Sequence, residues 1–291
     1  MSSNVRIGVV GAGPWAGMTH VPMLVRHPDV DFVGVWGRRR EAAEELTAQH
    51  GGRAYDSVDQ LIADCDALAF CVPPDVQVTL ASQAARAGKA VLLEKPVSLD
   101  LAGGRQLADA VAEAGVVSQL FLTWRYARRT REFLEQVAAV SPIGGRGIFV
   151  NGLQQGGVFA TPWRLQYGAL YDLGPHVLDM LEASLGTIVD VRAQGELLTW
   201  IALTLTHESG LTSQASLSIG SPGEHDAVGI EIYAPQGRLR HDGDIWEPQT
   251  FDTIVSEFVA AVRSGTPHPL DVHQGLHLQA LLVNAAEQLT R

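Results

Sequence analysis

The chain has 291 residues, of which 46% are apolar and 18% charged, and its net charge at pH 7 is −11. This length is enough for two domains with cores of their own, and the composition is that of a folded chain. The acidic balance argues against binding to nucleic acid, which needs a basic face, and against binding to an anionic membrane surface. We therefore expect a small-molecule partner.

Two further features bear on where such a protein works. Cys65 and Cys71 are the only cysteines, and both lie in or beside an apolar run, so no disulfide framework is predicted. The chain opens on a strand pattern without a cationic, apolar signal sequence, and no apolar run reaches the ~18 residues of a membrane span. The expected location is the cytoplasm.

The first strand pattern leads into a glycine-rich turn. Residues 5–10 are mostly apolar, and Gly11, Gly13 and Ala16 then spell G-x-G-x-x-A before a helix predicted to run to about Val25. The first glycine permits a tight turn, the second lets backbone amides approach a pyrophosphate, and the small third residue lets the helix pack on the strand. We predict that the cofactor-binding residues here are Gly11, Gly13, Pro14, Trp15 and Ala16.

The second strand, predicted over residues 31–36, ends in Gly37 and three arginines. An acid at this strand end would bind the ribose 2′-hydroxyl of NAD, whereas an arginine can pair with the 2′-phosphate of NADP. No acid is present, so we predict NADP as the preferred cofactor, with NAD as the alternative, and Arg38 as the residue that binds the phosphate. The alternative for the arginines is a solvated helix start.

Strand and helix patterns continue to alternate from Arg53 to Gly115, which predicts a doubly wound parallel sheet. Ser98 is the expected N-cap of the last helix of this series and Gly115 its terminator. Cys71 lies at the end of the strand predicted over residues 67–72 and Pro73 follows it, at the edge of the sheet where ligands bind in such folds. They are predicted to line the cofactor site, although a purely structural turn is an equal alternative.

Lys95 follows a buried strand pattern over residues 90–93, and it therefore falls at the same edge of the sheet. The chain uses arginine for nearly all its cations, because only Lys89 and Lys95 are lysines. Unlike a guanidinium, an ammonium can act as an acid or base when its surroundings lower its pKa. Lys95 is therefore a candidate catalytic residue, and the alternative is an ordinary surface lysine at a strand end.

The second half predicts a different kind of sheet and a second set of candidates. Alternating strand patterns between Thr187 and Leu239 indicate an antiparallel sheet, and two helices close the chain. Asp172 and His176 stand four residues apart, so they share one helix face if a helix begins near Asp172. Aromatic faces and guanidinium groups suit sugars, which makes substrate-binding candidates of Trp124, Arg125, Trp163, Arg164 and Tyr167, although both tryptophans are equally well explained as core residues.

A pair of histidines near the C-terminus has a spacing that could hold a metal ion. His273 and His277 have i, i+4 spacing, but the H-E-x-x-H glutamate and a cysteine cluster are missing. The prediction is therefore that the protein holds no metal at this helix, whose polar residues form a solvated face.

Four motifs together resemble the glucose-fructose oxidoreductase / inositol dehydrogenase (Gfo/Idh/MocA) family. They are the turn from Gly8 to Ala16, the Cys-Val-Pro-Pro turn from Cys71, the tripeptide Glu94-Lys95-Pro96 and the segment from Tyr167 to His176. The resemblance reaches the late helix and its Arg-x-Gly-x-Pro exit at residues 263–267. The chain departs from the family's usual residues at Pro74 and at Trp124, which affects the expected nicotinamide and substrate contacts.

The resemblance implies a Rossmann domain at residues 1–122 and, at residues 123–291, an α/β domain with an open, mostly antiparallel sheet for substrate binding and oligomer contacts. It implies NAD(P)-dependent oxidation or reduction of a sugar, cyclitol or similar polyol by a homodimer or homotetramer. It also implies catalytic roles for Lys95, Asp172 and His176 and cofactor contacts for Glu94 and Lys95. Two alternatives stay open: a cofactor- and sugar-binding regulatory protein without turnover, and an enzyme that uses the cofactor transiently to cleave a glycosidic bond.

Overall fold

The computed structural model describes residues 4–153, 156–221, 227–244 and 246–289. Contacts between residues divide the chain into two compact units. The first unit consists of residues 1–121 and 251–277, and the second of residues 122–250 and 278–291. The grouping of 251–277 with the first unit was not foreseen, and the division into domains at residues 122 and 123 stays a prediction.

A six-stranded parallel sheet forms the centre of the first unit, in the order β3-β2-β1-β4-β5-β6. Its central strands are apolar on both faces, and Ile7, Leu68 and Leu92 are fully buried, as expected for a parallel sheet covered by helices. This confirms the predicted doubly wound fold. The strands are β1 (Val5–Val10), β2 (Val30–Trp36), β3 (Arg53–Ala54), β4 (Ala67–Phe70), β5 (Ala90–Leu93) and β6 (Ser118–Leu120).

Helices connect these strands as the alternating pattern predicted. Residues 14–26 are helical, with a π-helical turn at Ala16–His20 before the α-helix proper. The α-helices are α1 (Val21–Arg26), α2 (Arg40–His50), α3 (Val58–Asp64), α4 (Pro74–Arg86) and α5 (Leu101–Ala114).

One predicted helix start was wrong. Helix α5 is capped by Asp100, whose Oδ1 accepts a hydrogen bond from the Gly103 N–H at 2.7 Å, and not by Ser98. The Ser98 hydroxyl instead donates to the carbonyl of Asp100 at 2.6 Å. The predicted terminator is present, because Gly115 adopts the left-handed conformation with φ 62°.

The late segment completes the first unit with helix α9 (Pro248–Ser264) and the start of helix α10 (Val272–Gln288). Hydrogen bonds join it to the last strand of the sheet. The backbone N–H of Leu120 donates to the carbonyl of Leu270 at 2.7 Å, and the buried amide of Gln119 donates to the carbonyl of Ile254 at 3.0 Å. Phe121 also stacks on Phe251, with ring centroids 6.4 Å apart.

The second unit contains a six-stranded sheet in the order β12-β11-β7-β10-β9-β8. All neighbouring strands are antiparallel except β7 and β10, so the prediction of a mostly antiparallel sheet is confirmed. The prediction missed β12, which is short and mostly exposed. The strands are β7 (Gly144–Val150), β8 (Ile188–Gly195), β9 (Ile201–His207), β10 (Thr212–Ser218), β11 (Ala227–Ala234) and β12 (Gly237–His241).

One face of this sheet packs on a helix and the other presents mostly polar or small side chains. Helices of the unit are α6 (Arg128–Ala138), α7 (Pro162–Asp172) and α8 (Gly174–Leu185), with a 3₁₀ turn at Thr123–Tyr126. Helix α8 packs on β7, β10 and β11, burying Val177 and Leu181 fully. Exposed positions of β9 and β10 include Ala202, Thr204 and Gln214.

Membrane spans and metal clusters were both expected to be absent. Within these ranges, no helix combines the length and hydropathy that a membrane span requires. Within the same ranges, no group of three or more His, Cys, Asp or Glu side chains is placed to hold a metal ion.

Candidate functional site

Three strand ends meet at the glycine turn of the first unit. The Gly11 N–H donates to the carbonyl of Trp36 at 2.7 Å, and the Cys71 N–H donates to the carbonyl of Val10 at 2.8 Å. Gly11 has φ 122°, and a side chain there would overlap the carbonyl oxygen of Cys71. Glycine is therefore required at this position, and Cys71 is brought to the edge of the sheet where the first glycine lies.

The glycine turn leaves space for a ligand beside its backbone. A Cβ placed on Gly13 would meet no atom within 4 Å, so the backbone amides there border open space. An adjoining cavity of about 310 Å³ is lined by Ala12, Gly13, Pro14, Gly17 and Arg39, together with residues along α2 from Glu41 to Gln49. Because the turn opens a helix, its amides and the helix dipole favour an anion such as a pyrophosphate.

The three arginines after β2 differ in their surroundings. Arg40 donates to Glu44 at 2.7 Å and also pairs with Asp56. Arg38 and Arg39 are exposed, and neither has a carboxylate of the described residues within ion-pair distance. Arg39 also lines the cavity beside the glycine turn. Arg38 is the residue predicted to bind the 2′-phosphate, and Arg39 is a second arginine that no carboxylate of the described residues pairs with.

The side chain of Glu94 ties the start of the first helix to the end of β5. Its Oε1 accepts a hydrogen bond from the indole N–H of Trp15 at 2.7 Å, and Nε2 of His20 lies 2.8 Å from the same oxygen. His20 is fully buried and stacks on Phe121, with ring centroids 4.5 Å apart. The sequence analysis missed His20, which its position in the apolar first helix did not distinguish.

A buried amide holds the turn that carries Lys95. Gln77 accepts a hydrogen bond from the Glu94 N–H at 2.8 Å, and it donates to the carbonyls of Glu94 at 2.9 Å and Val97 at 3.3 Å. The Lys95 N–H donates to the Glu94 carboxylate at 3.2 Å, and the peptide bond before Pro96 is cis. Lys95 itself is half-buried. The sequence analysis also missed Gln77, although a polar residue on the apolar stripe of α4 was a usable signal.

In the second unit, the structure brings Trp124 and His176 together. Their rings stack with centroids 5.7 Å apart and an angle of 18° between planes, and the ring of Phe149 lies 5.3 Å from the indole and 6.4 Å from the imidazole. Trp124 is only 3% exposed. Its ring also lies 6.2 Å from that of His241, and its role in binding substrate stays a prediction.

Asp172 and His176 do not lie in one helix that begins near Asp172, which was the condition for their sharing a helix face. Asp172 is the last residue of α7, and His176 lies in the first turn of α8, after Leu173. Helix α7 is kinked at Gly168, whose φ of 61° is disfavoured for other residues and whose Cα faces the carbonyl of Leu197. The kink depends on a distant strand connection, which no local pattern reveals.

Guanidinium groups engage both buried carboxylates of this region. Arg164 Nε lies 3.1 Å from Asp172 Oδ1, and its guanidinium lies over the ring of Trp163 at 4.5 Å. Arg125 donates to Asp179 at 2.9 Å. Both aspartates are at most 3% exposed, so these pairs are charge-assisted contacts in a poorly solvated region. Tyr167 is half-buried, and its ring lies 5.0 Å from that of Tyr171.

These features define a dinucleotide-binding fold followed by a unit with a mixed sheet and clustered polar side chains. A profile described as the oxidoreductase family with an NAD-binding Rossmann fold matches residues 5–121, and the Gfo/Idh/MocA C-terminal domain matches residues 128–240. The chain belongs to the Gfo/Idh/MocA family of oxidoreductases.

Similar proteins include the D-glucoside 3-dehydrogenase of Escherichia coli strain K12, which is 28% identical over 203 residues covering 64% of this chain and 55% of the relative. The chain spans little more than half the length of the first curated relatives it matches.

Among solved structures, GenD2 from gentamicin A biosynthesis in complex with NAD has a TM-score of 0.87 at 24% identity, covering 99% of this chain and 95% of that one. KijD10, a 3-ketoreductase from Actinomadura kijaniata in complex with TDP-benzene and NADP, has a TM-score of 0.79 at 19% identity, covering 99% and 98%. At these identities the two likenesses concern the fold alone.

Proposed function

We propose that this protein is an NAD(P)-dependent oxidoreductase that acts on a secondary alcohol, or the matching ketone, of a sugar, cyclitol or similar polyol. The observation that carries the proposal is the bond from Trp15 to Glu94, which ties the turn bearing Lys95 to the helix that opens at the glycine turn. When bound, the nicotinamide would accept or supply a hydride. The names of relatives such as the glucoside 3-dehydrogenase support the substrate class.

The residues proposed to hold the cofactor are those of the glycine turn together with five at neighbouring strand ends, which are Arg38, Cys71, Pro73, Glu94 and Lys95. The backbone amides around Gly13 suit a pyrophosphate, and Cys71, Pro73 and Glu94 stand at the ends of β4 and β5. NADP is the proposed preference because uncommitted arginines, and no acid, follow β2. The matching family profile describes an NAD-binding fold, and the preference for NADP over NAD is a proposal.

Alcohol oxidation requires a base that takes the hydroxyl proton. Lys95 in the first unit and His176 in the second are the proposed proton carriers. Lys95 is half-buried in a turn that Gln77 holds, and His176 is held by its stack on Trp124.

Asp172, paired with Arg164, is proposed to orient the reacting groups. The proposed substrate contacts are Trp124, Arg125, Trp163 and Tyr167.

The first test is absorbance at the reduced-nicotinamide band while sugars, cyclitols and keto-sugars are added. Net cofactor turnover supports the proposal. Product without net cofactor change would indicate cofactor-assisted glycosidic cleavage, and tight binding with neither would indicate a regulatory protein.

Variants of the two lysines test the assignment of Lys95. Lys95→Met should lower kcat on the identified substrate by about 10² or more, and so should His176→Ala. Lys89→Met is the matched control, since Lys89 donates to the carbonyl of Cys65 at 2.7 Å and is assigned no role in turnover. If Lys95→Met and His176→Ala each stayed within about tenfold of wild type, the assignment would be wrong.

We also propose a homodimer or homotetramer that forms through the open face of the second sheet. The exposed side chains Ala202, Thr204 and Gln214 are short enough to let a second copy approach closely. Thr204→Arg should then shift the assembly toward smaller species in light scattering at micromolar concentration. A monomeric wild type would contradict the proposal. Cys65 and Cys71 are not joined in a disulfide, which supports the proposed reducing, cytoplasmic setting.

A further inference from the structure

The residue after β2 is in close contact with the middle residue of the glycine turn. A Cβ built on Gly37 would lie 2.7 Å from the Cβ of Ala12 and 3.3 Å from its backbone nitrogen. Non-bonded carbon atoms prefer separations of about 3.5–4.0 Å. Position 37 therefore has no room for a side chain while position 12 carries one.

The backbone on both sides of this contact is fixed. Gly11 is buried, donates to the carbonyl of Trp36 and packs on the carbonyl of Cys71, so the turn is bounded by β2 and β4. Strand β1 pairs with β2 up to Val10 and Trp36. A shift that made room at Gly37 would disturb these hydrogen bonds, and the strain would reach the amides at Gly13.

The contact bears on cofactor choice, because the end of β2 is where an acid would bind the ribose 2′-hydroxyl of NAD. Resting on the proposed function, we propose that Ala12 is a specificity-determining residue. Its methyl group excludes a carboxylate at position 37 and leaves Arg38 and Arg39 as the side chains available to the 2′ substituent. The preference for NADP then depends on a steric exclusion as well as on positive charge.

The steric part can be tested without introducing charge. Gly37→Ala adds only the Cβ, and overpacking of this kind should weaken both NADP and NAD by about fivefold or more. In the Ala12→Gly background the same change should cost less than about twofold, because the opposing methyl group is gone. Titrations followed by tryptophan fluorescence measure the affinities, and thermal unfolding of the unliganded variants gives the same comparison without a cofactor.

The specificity part uses a carboxylate. Gly37→Asp alone should impair binding of both cofactors, whereas Ala12→Gly with Gly37→Asp should bind NAD better than NADP. The proposal is overturned if Gly37→Ala carries the same penalty in both backgrounds, or none in the parent, or if Gly37→Asp alone already switches preference.

A failure of the proposed function gives a different result. A parent protein that binds neither cofactor would contradict the proposed function and the specificity role together. Thermal unfolding would still show whether Ala12 and Gly37 are coupled sterically.

Discussion

At the scale of single residues, the arginines after β2 are the most direct test of cofactor choice. Arg40 is paired with Glu44 and Asp56, whereas Arg38 and Arg39 have no such partner among the described residues. A guanidinium that is already paired gains little from a phosphate. An uncommitted one forms a new charge-assisted hydrogen bond.

Arg38→Ala should therefore weaken NADP far more than NAD, by about 1.5–3 kcal/mol, which corresponds to a factor of about ten to more than a hundred in affinity. Arg39→Ala should act in the same direction. Arg40→Ala is the matched control and should affect the two cofactors equally. Fluorescence titrations with both cofactors measure the effect, and an equal loss for NAD and NADP in Arg38→Ala would show that this arginine does not bind the 2′-phosphate.

His241 is a buried histidine whose two ring nitrogens both have partners. The Gly243 N–H donates to Nδ1 at 2.9 Å, so the ring proton is on Nε2, which donates to the Thr130 hydroxyl at 2.8 Å. Burial lowers the pKa of His241; Asp242 and Asp244 oppose this shift and Arg129 adds to it. The rings of Trp124 and Phe133 pack against the imidazole. Protonation of Nδ1 would break the bond from Gly243.

The sign of the pH effect follows from this lowered pKa. Below the ordinary histidine pKa of about 6.5 the unfolded chain binds a proton that the folded protein resists, so stability falls as pH drops toward 5. Urea midpoints at pH 7.5, 6.5 and 5.5 measure the slope, which for one proton is at most about 1.4 kcal/mol per pH unit. His241→Gln should be less stable at pH 7.5 but decline less. His27, whose pKa burial also lowers, supplies a remaining slope in both proteins. Identical slopes would contradict the prediction.

At the scale of elements, periodicity predicted most of the strands and helices, because each is defined by which of its own residues are buried. What it could not predict depends on distant partners. Ser98 and Asp100 are both plausible caps, and only the fold decides between them. The kink within α7 depends on Gly168 packing against Leu197. Lys95 and the glycine turn could be identified locally, but Gln77 and His20 became evident only from the contacts they make.

Gln77 allows a test of how much the turn before Pro96 depends on a single side chain. Gln77→Leu would leave the buried Glu94 N–H without its acceptor, and each such unpaired group costs about 1–3 kcal/mol. The free energy of unfolding, measured in urea, should fall by that amount. Gln83→Leu on the same helix is the control; it loses a bond to the exposed carboxylate of Asp59 and should cost less than about 0.5 kcal/mol. Equal losses of stability in the two variants would show that the hydrogen bonds of Gln77 contribute no more than an exposed one.

At the scale of the whole molecule, the first unit is assembled from two stretches that are far apart in the chain. The bonds from Leu120 to Leu270 and from Gln119 to Ile254 join its last strand to residues 251–277. The stack of Phe121 on Phe251 adds an apolar contact between the same two stretches. All three contacts lie within one compact unit.

During synthesis on the ribosome, the first 121 residues emerge well before residues 251–277, so the nascent sheet must wait for its final partners. A fragment of residues 1–121 should consequently unfold at a lower urea concentration than the same fragment with residues 251–277 joined by a short flexible linker. Tryptophan fluorescence in urea measures both midpoints. Equal midpoints would mean that the nascent chain completes this sheet without waiting for the later segment.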